Sequence, residues 1–234
     1  MSQPDILLYT TNTMNGWKPL IFLHEAEADY ELRPISFDKR EQKAPEYMKL
    51  NPNGRIPTIV DRGNNDFAVF ESGAILWYLA EKFGKFLGDD ARTRSETLQW
   101  LFFQVGHIGP IMGQAMYFQR IAPGHGETHP YAIKRFVDES RRLLEVLNTR
   151  LEGREWLAGD AYSIADMAHY PWARTYPWAN VSVEGLPHLQ AWFDRIDARH
   201  KTQDALQLPE PRPAYFGHGD LDAAAAVNSA RFKD

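Results

Sequence analysis

The chain contains no cysteine. That composition excludes a disulfide framework, a thiolate zinc site and a cysteine nucleophile. No apolar run approaches the roughly 20 residues that cross a bilayer as a helix. The opening Met1-Ser2-Gln3-Pro4-Asp5 has neither the basic nor the apolar region of a secretory signal, so a cytoplasmic location without a membrane partner is expected. Positive charge is not in excess. The 26 Lys and Arg stand against 31 Asp and Glu, for a net charge of −5, which argues against nucleic acid as a partner. Strand signals thin out after a short linker near Gly88-Asp89-Asp90.

What is present suits two globular domains. The 234 residues are 44% hydrophobic and 24% charged, an ordinary balance for a soluble fold. The 7 Trp, 10 Tyr and 13 Phe can fill a substantial core. Ile6-Leu7-Leu8-Tyr9-Thr10 reads as a buried strand. After a polar break, Trp17, Leu20, Ile21 and Leu23 have helical spacing, with Pro19 acceptable only in a first turn. Tyr30–Ile35 reads as a second strand, and Pro34 places it at an edge or a strand end. Residues 36–55 are polar and read as irregular. Thr58-Ile59-Val60 and Phe67–Phe70 form a hairpin across the turn at 61–66. A helix follows from Ser72, with Ile75, Leu76, Leu79, Ala80 and Phe83 on one face and Gly84 closing it.

This βαβ then ββα order is that of thioredoxin-like domains. The expected architecture is an α/β thioredoxin-like N-terminal domain over residues 1–87 and an all-α C-terminal domain over 91–207. A Pro-rich tail over 208–234 is read as weakly ordered or draped over the surface. In the second domain, residues 91–119 read as helix loosened by Gly106, Gly109-Pro110 and Gly113, and 123–129 as a loop. Residues 130–152 have the pattern of a long amphipathic helix with Pro130 at its first position. Ser163-Ile164-Ala165-Asp166 has capping-box spacing and opens a helix expected to break at Pro171, and 187–200 forms one more.

Four segments could carry chemistry. Thr13-Met14-Asn15-Gly16 joins a strand to a helix. Free N–H groups and partial positive charge there lower the pKa of a thiol placed against them. Thr13 and Asn15 could donate to that sulfur, although both residue types are also ordinary turn and cap residues. Ile56-Pro57 could hold a cis bond that turns the Ile56 backbone outward, so that a peptide could pair with it as an added strand. Glu71-Ser72 at a helix start could be a cap alone. It could also hold an α-amino acid end, with Ser72 and its N–H groups on the carboxylate and Glu71 on the ammonium. Gln42 or Arg55 could bind a second carboxylate.

These segments, with Asn51-Pro52-Asn53-Gly54-Arg55-Ile56-Pro57, Phe70-Glu71-Ser72-Gly73-Ala74-Ile75, Leu98-Gln99-Trp100-Leu101-Phe102, Pro130-Tyr131-Ala132-Ile133 and the Ser163–Asp166 box, resemble the glutathione transferase superfamily. Within it they resemble the bacterial Nu class and a fungal prion-forming nitrogen regulator. The resemblance covers about residues 5–205 and leaves out the tail. It implies a homodimer with a glutathione site in each subunit, glutathione as co-substrate in its thiol or disulfide form, no metal, and disulfide reductase activity with weak transferase or peroxidase activity. By position it implies Thr13 and Asn15 at the sulfur, Gln42, Arg55 and Ile56 on the glycine and cysteine portions, Glu71 and Ser72 on the γ-glutamyl end, and Arg135 reaching from the partner subunit to a second glutathione.

Alternatives stand beside this reading. Tyr9 could be the sulfur partner, as in transferases with a tyrosine after their first strand, or it could be core. The chain could conjugate electrophiles, or bind glutathione as a non-enzymatic regulator. His125 and His129 are separated by glycine and make a poor metal pair. His107, Met112, Met116, Tyr117 and Phe118 could line an acceptor pocket or fill a core. Asp166 reads as a structural cap, and the Trp172–Trp178 segment as core.

Overall fold

The computed structural model describes residues 3–211. The remainder of the expected tail, from residue 212, lies outside the described residues. The described chain divides into two compact units. One runs to Leu87 and takes up the chain again from Asp197, and the other spans Gly88–Ile196.

The first unit holds β1 (Ile6–Thr10), α1 (Met14–Ala26), β2 (Tyr30–Pro34), α2 (Pro45–Leu50), β3 (Thr58–Asp61), β4 (Phe67–Phe70), α3 (Ser72–Phe83) and, from the end of the chain, α9 (His200–Ala205). The sheet order is β2-β1-β3-β4. β1 runs parallel to β2, with Tyr9 opposite Arg33, and antiparallel to β3, with Tyr9 opposite Thr58. β3 and β4 are antiparallel, with Thr58 opposite Phe70. Every residue of β3 is buried, as a central strand covered on both faces requires. The core gathers Ile6, Leu8 and Ile59 of the sheet with Trp17, Leu20, Ile21 and Phe22 of α1 and Ile75, Leu76 and Leu79 of α3, all fully buried.

α1 differs from the sequence expectation at its start and at Pro19. Thr13 caps it, so the helix begins at Met14 and Pro19 falls in its interior. The proline removes a ladder hydrogen bond. The complete burial of residues 16–23 offsets that loss. The stretch read as irregular at 36–55 contains α2, a helix too short for a periodic signal, with Pro45 in its first turn.

The expected helix over 187–200 is two helices. α8 ends at Asp197, and α9 belongs with the first unit, packed on α1. Glu25 of α1 holds the returning chain. Its carboxylate, 4% exposed, accepts from Arg199 Nε at 2.9 Å and Nη2 at 2.6 Å and from Thr202 Oγ1 at 2.7 Å. Burial pushes the Glu25 carboxyl up, but the Arg199 guanidinium and Thr202 hydroxyl bring it to a net value below the ordinary 4.5. A depressed folded pKa means that this stabilisation is complete above the unfolded value and is lost as pH falls through the folded one. Glu25→Gln should therefore cost ~2 kcal/mol at pH 7, within the range for a lost buried charge-assisted bond. The difference from wild type should shrink as urea unfolding is repeated toward pH 3. An undiminished difference at pH 3 would contradict the charge argument.

The second unit is helical: α4 (Ala91–Phe103), α5 (Gly109–Met116), α6 (Pro130–Arg150), α7 (Ile164–Ala173) and α8 (Pro187–Asp197). The segment expected to be loosened by glycine is helical from Ala91 to His125, with π-type turns at Gln104–Ile108 and Tyr117–Ile121. α7 does not break at Pro171. It continues to Ala173, because the proline lies near the helix end and every residue of α7 is buried. The Ser163 box forms as read. Asp166, fully buried, accepts from Ser163 N and Oγ, Leu157 N and Trp192 Nε1. Met112, Met116, Trp172 and Trp178 are core.

Candidate functional site

The strand registers gather the candidate segments of the first unit at one end of the sheet. β1 and β2 are parallel, so the loops that follow Thr10 and Pro34 leave from the same end. β3 runs opposite to β1, so its beginning, preceded by Ile56-Pro57, lies at that end too. β4 runs opposite to β3, and its end, followed by Glu71-Ser72, completes the set. Four segments far apart in sequence therefore converge: residues 11–16, 36–44, 51–57 and 71–73.

Thr13 sits in extended backbone geometry at the N-cap of α1, and its Oγ1 accepts from Gly16 N at 2.9 Å. A hydroxyl that accepts in this way keeps its own proton for a second partner. The cap leaves Thr13 and Asn15 partly exposed at the helix N-terminus. Gly16 is required by space. A Cβ there would lie 2.1 Å from the Thr11 carbonyl oxygen and 2.6 Å from Thr10 Oγ1. Thr10, fully buried, donates from that hydroxyl to Gly16 O at 3.1 Å and fastens the strand end to the helix start. Asn12 Nδ2 donates to Glu210 O at 3.0 Å, which ties the same turn to the returning C-terminal segment.

Tyr9 is differently placed. Its phenol oxygen accepts from Arg33 Nη1 at 3.2 Å, the Arg33 guanidinium lies over its ring, and its ring edge meets Tyr47. Its hydroxyl is engaged along the β2 side of the sheet, whereas the Thr13 hydroxyl caps the helix.

The 51–57 loop is fixed from beneath. Tyr47 Oη donates to Arg55 O at 2.6 Å, Asn51 Nδ2 donates to Arg55 O at 2.8 Å and to Thr58 Oγ1 at 3.1 Å, and Asn53 N donates to Asn51 Oδ1 at 3.0 Å. Tyr47, Asn51 and Thr58 are buried, Arg55 is exposed and Ile56 is half-buried. The Ile56-Pro57 peptide bond is cis. Gln42 Oε1 is buried and has no hydrogen-bond partner among the described residues. Such an acceptor costs roughly 1–3 kcal/mol unless a ligand or water supplies a donor.

Glu71 and Ser72 form the fourth segment. Glu71 is exposed at the N-cap of α3 with φ 71°, a left-handed conformation that carries strain in a residue other than glycine. Ser72 is buried, and its Oγ accepts from Lys18 Nζ at 3.1 Å. Lys18 is 1% exposed. Burial lowers its pKa from 10.5 to about 7, against the opposing pull of the Glu71 carboxylate. Sequence reasoning missed this lysine. The signal was available: one cationic residue inside the otherwise apolar stretch Trp17–Leu23.

Arg135 lies in the other unit, exposed on α6. His107 is exposed and stacked on Phe103. His129 pairs with Glu127, and the described residues contain no group of three or more His, Cys, Asp or Glu able to hold a metal.

The model of the glutathione S-transferase N-terminal domain matches residues 4–81, and that of the C-terminal domain matches residues 116–200. The disulfide-bond oxidoreductase YfcG of Escherichia coli K12 is 46% identical over 203 residues, covering 85% of this chain and 93% of its own. A Pseudomonas putida glutathione transferase, solved with one glutathione disulfide bound per subunit, superposes with TM-score 0.83 at 40% identity, over 88% of this chain and 92% of its own. A Burkholderia graminis glutathione transferase with two glutathione molecules per subunit gives TM-score 0.82 at 41% identity, over 88% and 89%.

Proposed function

Because this chain belongs to the glutathione transferase family, we propose that it is a glutathione-dependent disulfide oxidoreductase of the Nu class, acting in the cytoplasm as a homodimer. The observation that carries the reading is the convergence of a thiol-stabilising helix N-terminus at Thr13 and Asn15 with the Ile56 and Ser72 segments, in a chain without a sulfur nucleophile of its own.

Glutathione is the reductant. Its γ-glutamyl carboxylate sits on Ser72 and the N–H groups of α3, and its ammonium on Glu71. The strain at Glu71 is consistent with a residue held for contact with a ligand. Backbone groups of Ile56 pair with the cysteine portion. Arg55 receives the glycine carboxylate, and Gln42 Oε1 receives a peptide N–H, which supplies the donor that this buried oxygen lacks. The thiol lies at the start of α1, where the Thr13 hydroxyl, the Asn15 amide and the helix N–H groups favour its ionised form.

The thiolate attacks one sulfur of a disulfide R–S–S–R′. A glutathionyl–S–R bond forms, the S–S bond breaks, and R′S⁻ leaves and takes a proton. A second glutathione thiolate, oriented by the partner subunit's Arg135, attacks the glutathionyl sulfur. Glutathione disulfide forms, and RS⁻ leaves and is protonated. Two glutathiones are oxidised for one disulfide reduced. The protein supplies position and a lowered thiol pKa. The relatives solved with one glutathione disulfide or two glutathiones per subunit support a site with room for both molecules.

The same thiolate could instead attack an electrophilic carbon. The test runs glutathione-dependent reduction of 2-hydroxyethyl disulfide beside conjugation to chlorodinitrobenzene. Fast reduction with slow conjugation is expected. The reverse would make the chain a conjugating transferase, and silence in both assays despite glutathione binding would make it a binding or regulatory protein.

A further inference from the structure

The buried lysine beneath Ser72 has a role that the glutathione site leaves open. An ammonium group only donates hydrogen bonds, whereas a serine hydroxyl has one proton and two acceptor sites. In the Lys18–Ser72 contact at 3.1 Å the lysine is therefore the donor and Ser72 Oγ the acceptor. No other hydrogen bond of the Ser72 hydroxyl is formed among the described residues. With Lys18 on one side of the oxygen, the hydroxyl proton is left for another partner at the start of α3, beside the exposed Glu71.

We infer that Lys18 is a positioning residue for ligands with an α-carboxylate: it holds Ser72 Oγ as an acceptor, which turns the Ser72 proton toward that carboxylate, and it sets the preference for a γ-glutamyl thiol. The inference rests on the glutathione reading above. Two features make it specific. Lys18 reaches Ser72 from α1 while Glu71 stands beside Ser72 on α3, so the carboxylate and ammonium of an amino acid end each have a charged counterpart. Burial also limits the screening of the lysine by water, so its contact with the Ser72 hydroxyl is felt strongly. The role differs from simple packing, because a packing residue would affect all glutathione-like ligands equally.

The experiment uses the full chain as wild type, Lys18→Met, Lys18→Gln, Ser72→Ala and the Lys18→Met/Ser72→Ala double variant. Calorimetric titration at pH 6, below the Lys18 pKa of about 7 so that the ammonium form prevails, measures binding of glutathione and of an analogue in which 4-aminobutyryl replaces γ-glutamyl, so that only the α-carboxylate is missing. Wild type should prefer glutathione by ~30-fold, the size of a charge-assisted hydrogen bond. Lys18→Met should bring that preference below ~5-fold with analogue binding unchanged, and the double variant should be no worse than Ser72→Ala. In the disulfide assay the glutathione KM should rise while kcat at saturation stays within about twofold. Lys18→Gln provides the same comparison if the methionine variant does not fold. Equal weakening of both ligands, or an unchanged preference in a lysine variant, overturns the inference while Ser72→Ala still reports a glutathione site. If Ser72→Ala has no effect on glutathione binding, the glutathione reading falls, and the role of Lys18 falls with it.

Discussion

Asp166→Ala should lower the unfolding free energy by ~4 kcal/mol without changing the site in molecules that remain folded. Four donors end on this one fully buried carboxylate: Leu157 N at 3.0 Å and Trp192 Nε1 at 2.9 Å on Oδ1, and Ser163 N and Oγ, both at 3.0 Å, on Oδ2. Burial raises the carboxyl pKa, and the four donors oppose that rise. Removing the acceptor strands all four donors where water does not reach. Each stranded group costs roughly 1–3 kcal/mol, partly offset because no carboxylate is then desolvated. A loss near 4 kcal/mol is a large share of the 5–15 kcal/mol typical of a folded domain. Asp166→Asn keeps the shape but turns one acceptor into a donor facing donors, so it should recover less than half of the loss. Urea unfolding followed by tryptophan fluorescence at pH 7 checks both variants. A loss below about 1 kcal/mol for the alanine variant would mean that the network contributes little.

Thr13→Ala should lower kcat/KM for disulfide reduction by ~100-fold, about 2.7 kcal/mol of transition-state stabilisation. The substitution removes two things, because Thr13 Oγ1 caps α1 by accepting from Gly16 N and has a proton to give the sulfur. The cap alone is worth roughly 0.5–2 kcal/mol of stability. Thr13→Ser keeps both functions and should stay within a few-fold of wild type. Thr13→Asp keeps an acceptor for Gly16 N but places negative charge beside the thiolate, so a well-capped variant should be at least as inactive as alanine. The pKa of bound glutathione, read from thiolate absorbance, should rise in both the alanine and aspartate variants. Tyr9→Phe should change little, since that hydroxyl lies beside Arg33 on the β2 side of the sheet, whereas Thr13 caps the helix start. A larger loss from Tyr9→Phe than from Thr13→Ala would transfer the sulfur contact to the tyrosine.

Elements with strong local signals were legible in the sequence. β1, β3 and α3 announce themselves by apolar runs, periodicity and a terminal glycine, and the Ser163 box by its spacing. α2 was not legible, because six residues give no period to count. Pro19 and Pro171 misled in the same way. Local propensity argues for a break, and burial of the surrounding helix overrides it. Site residues in loops could be named from their chemistry, but the sequence could not show that Thr13, Gln42, Ile56 and Ser72 share one end of a sheet. That follows from the strand registers. Lys18 stood out as a lone cation in an apolar stretch, but its role was not legible, for a related reason. Its meaning depends on Ser72, 54 residues further along the chain, and no local pattern links them.

The division of the chain also bears on its synthesis. The α/β unit is the first to leave the ribosome, yet it includes the segment from Asp197 onward, with Glu25 gripping Arg199 and Asn12 reaching the backbone of Glu210. Those contacts span 174 and 198 residues. The half that is translated first is thus the last to be completed. At roughly 5–20 residues per second, its nascent form waits on the order of ten seconds with the α9 face of α1 uncovered. A nascent chain stalled before residue 197 would display that face, so chaperone capture should be strongest for stalled chains that stop just short of α9.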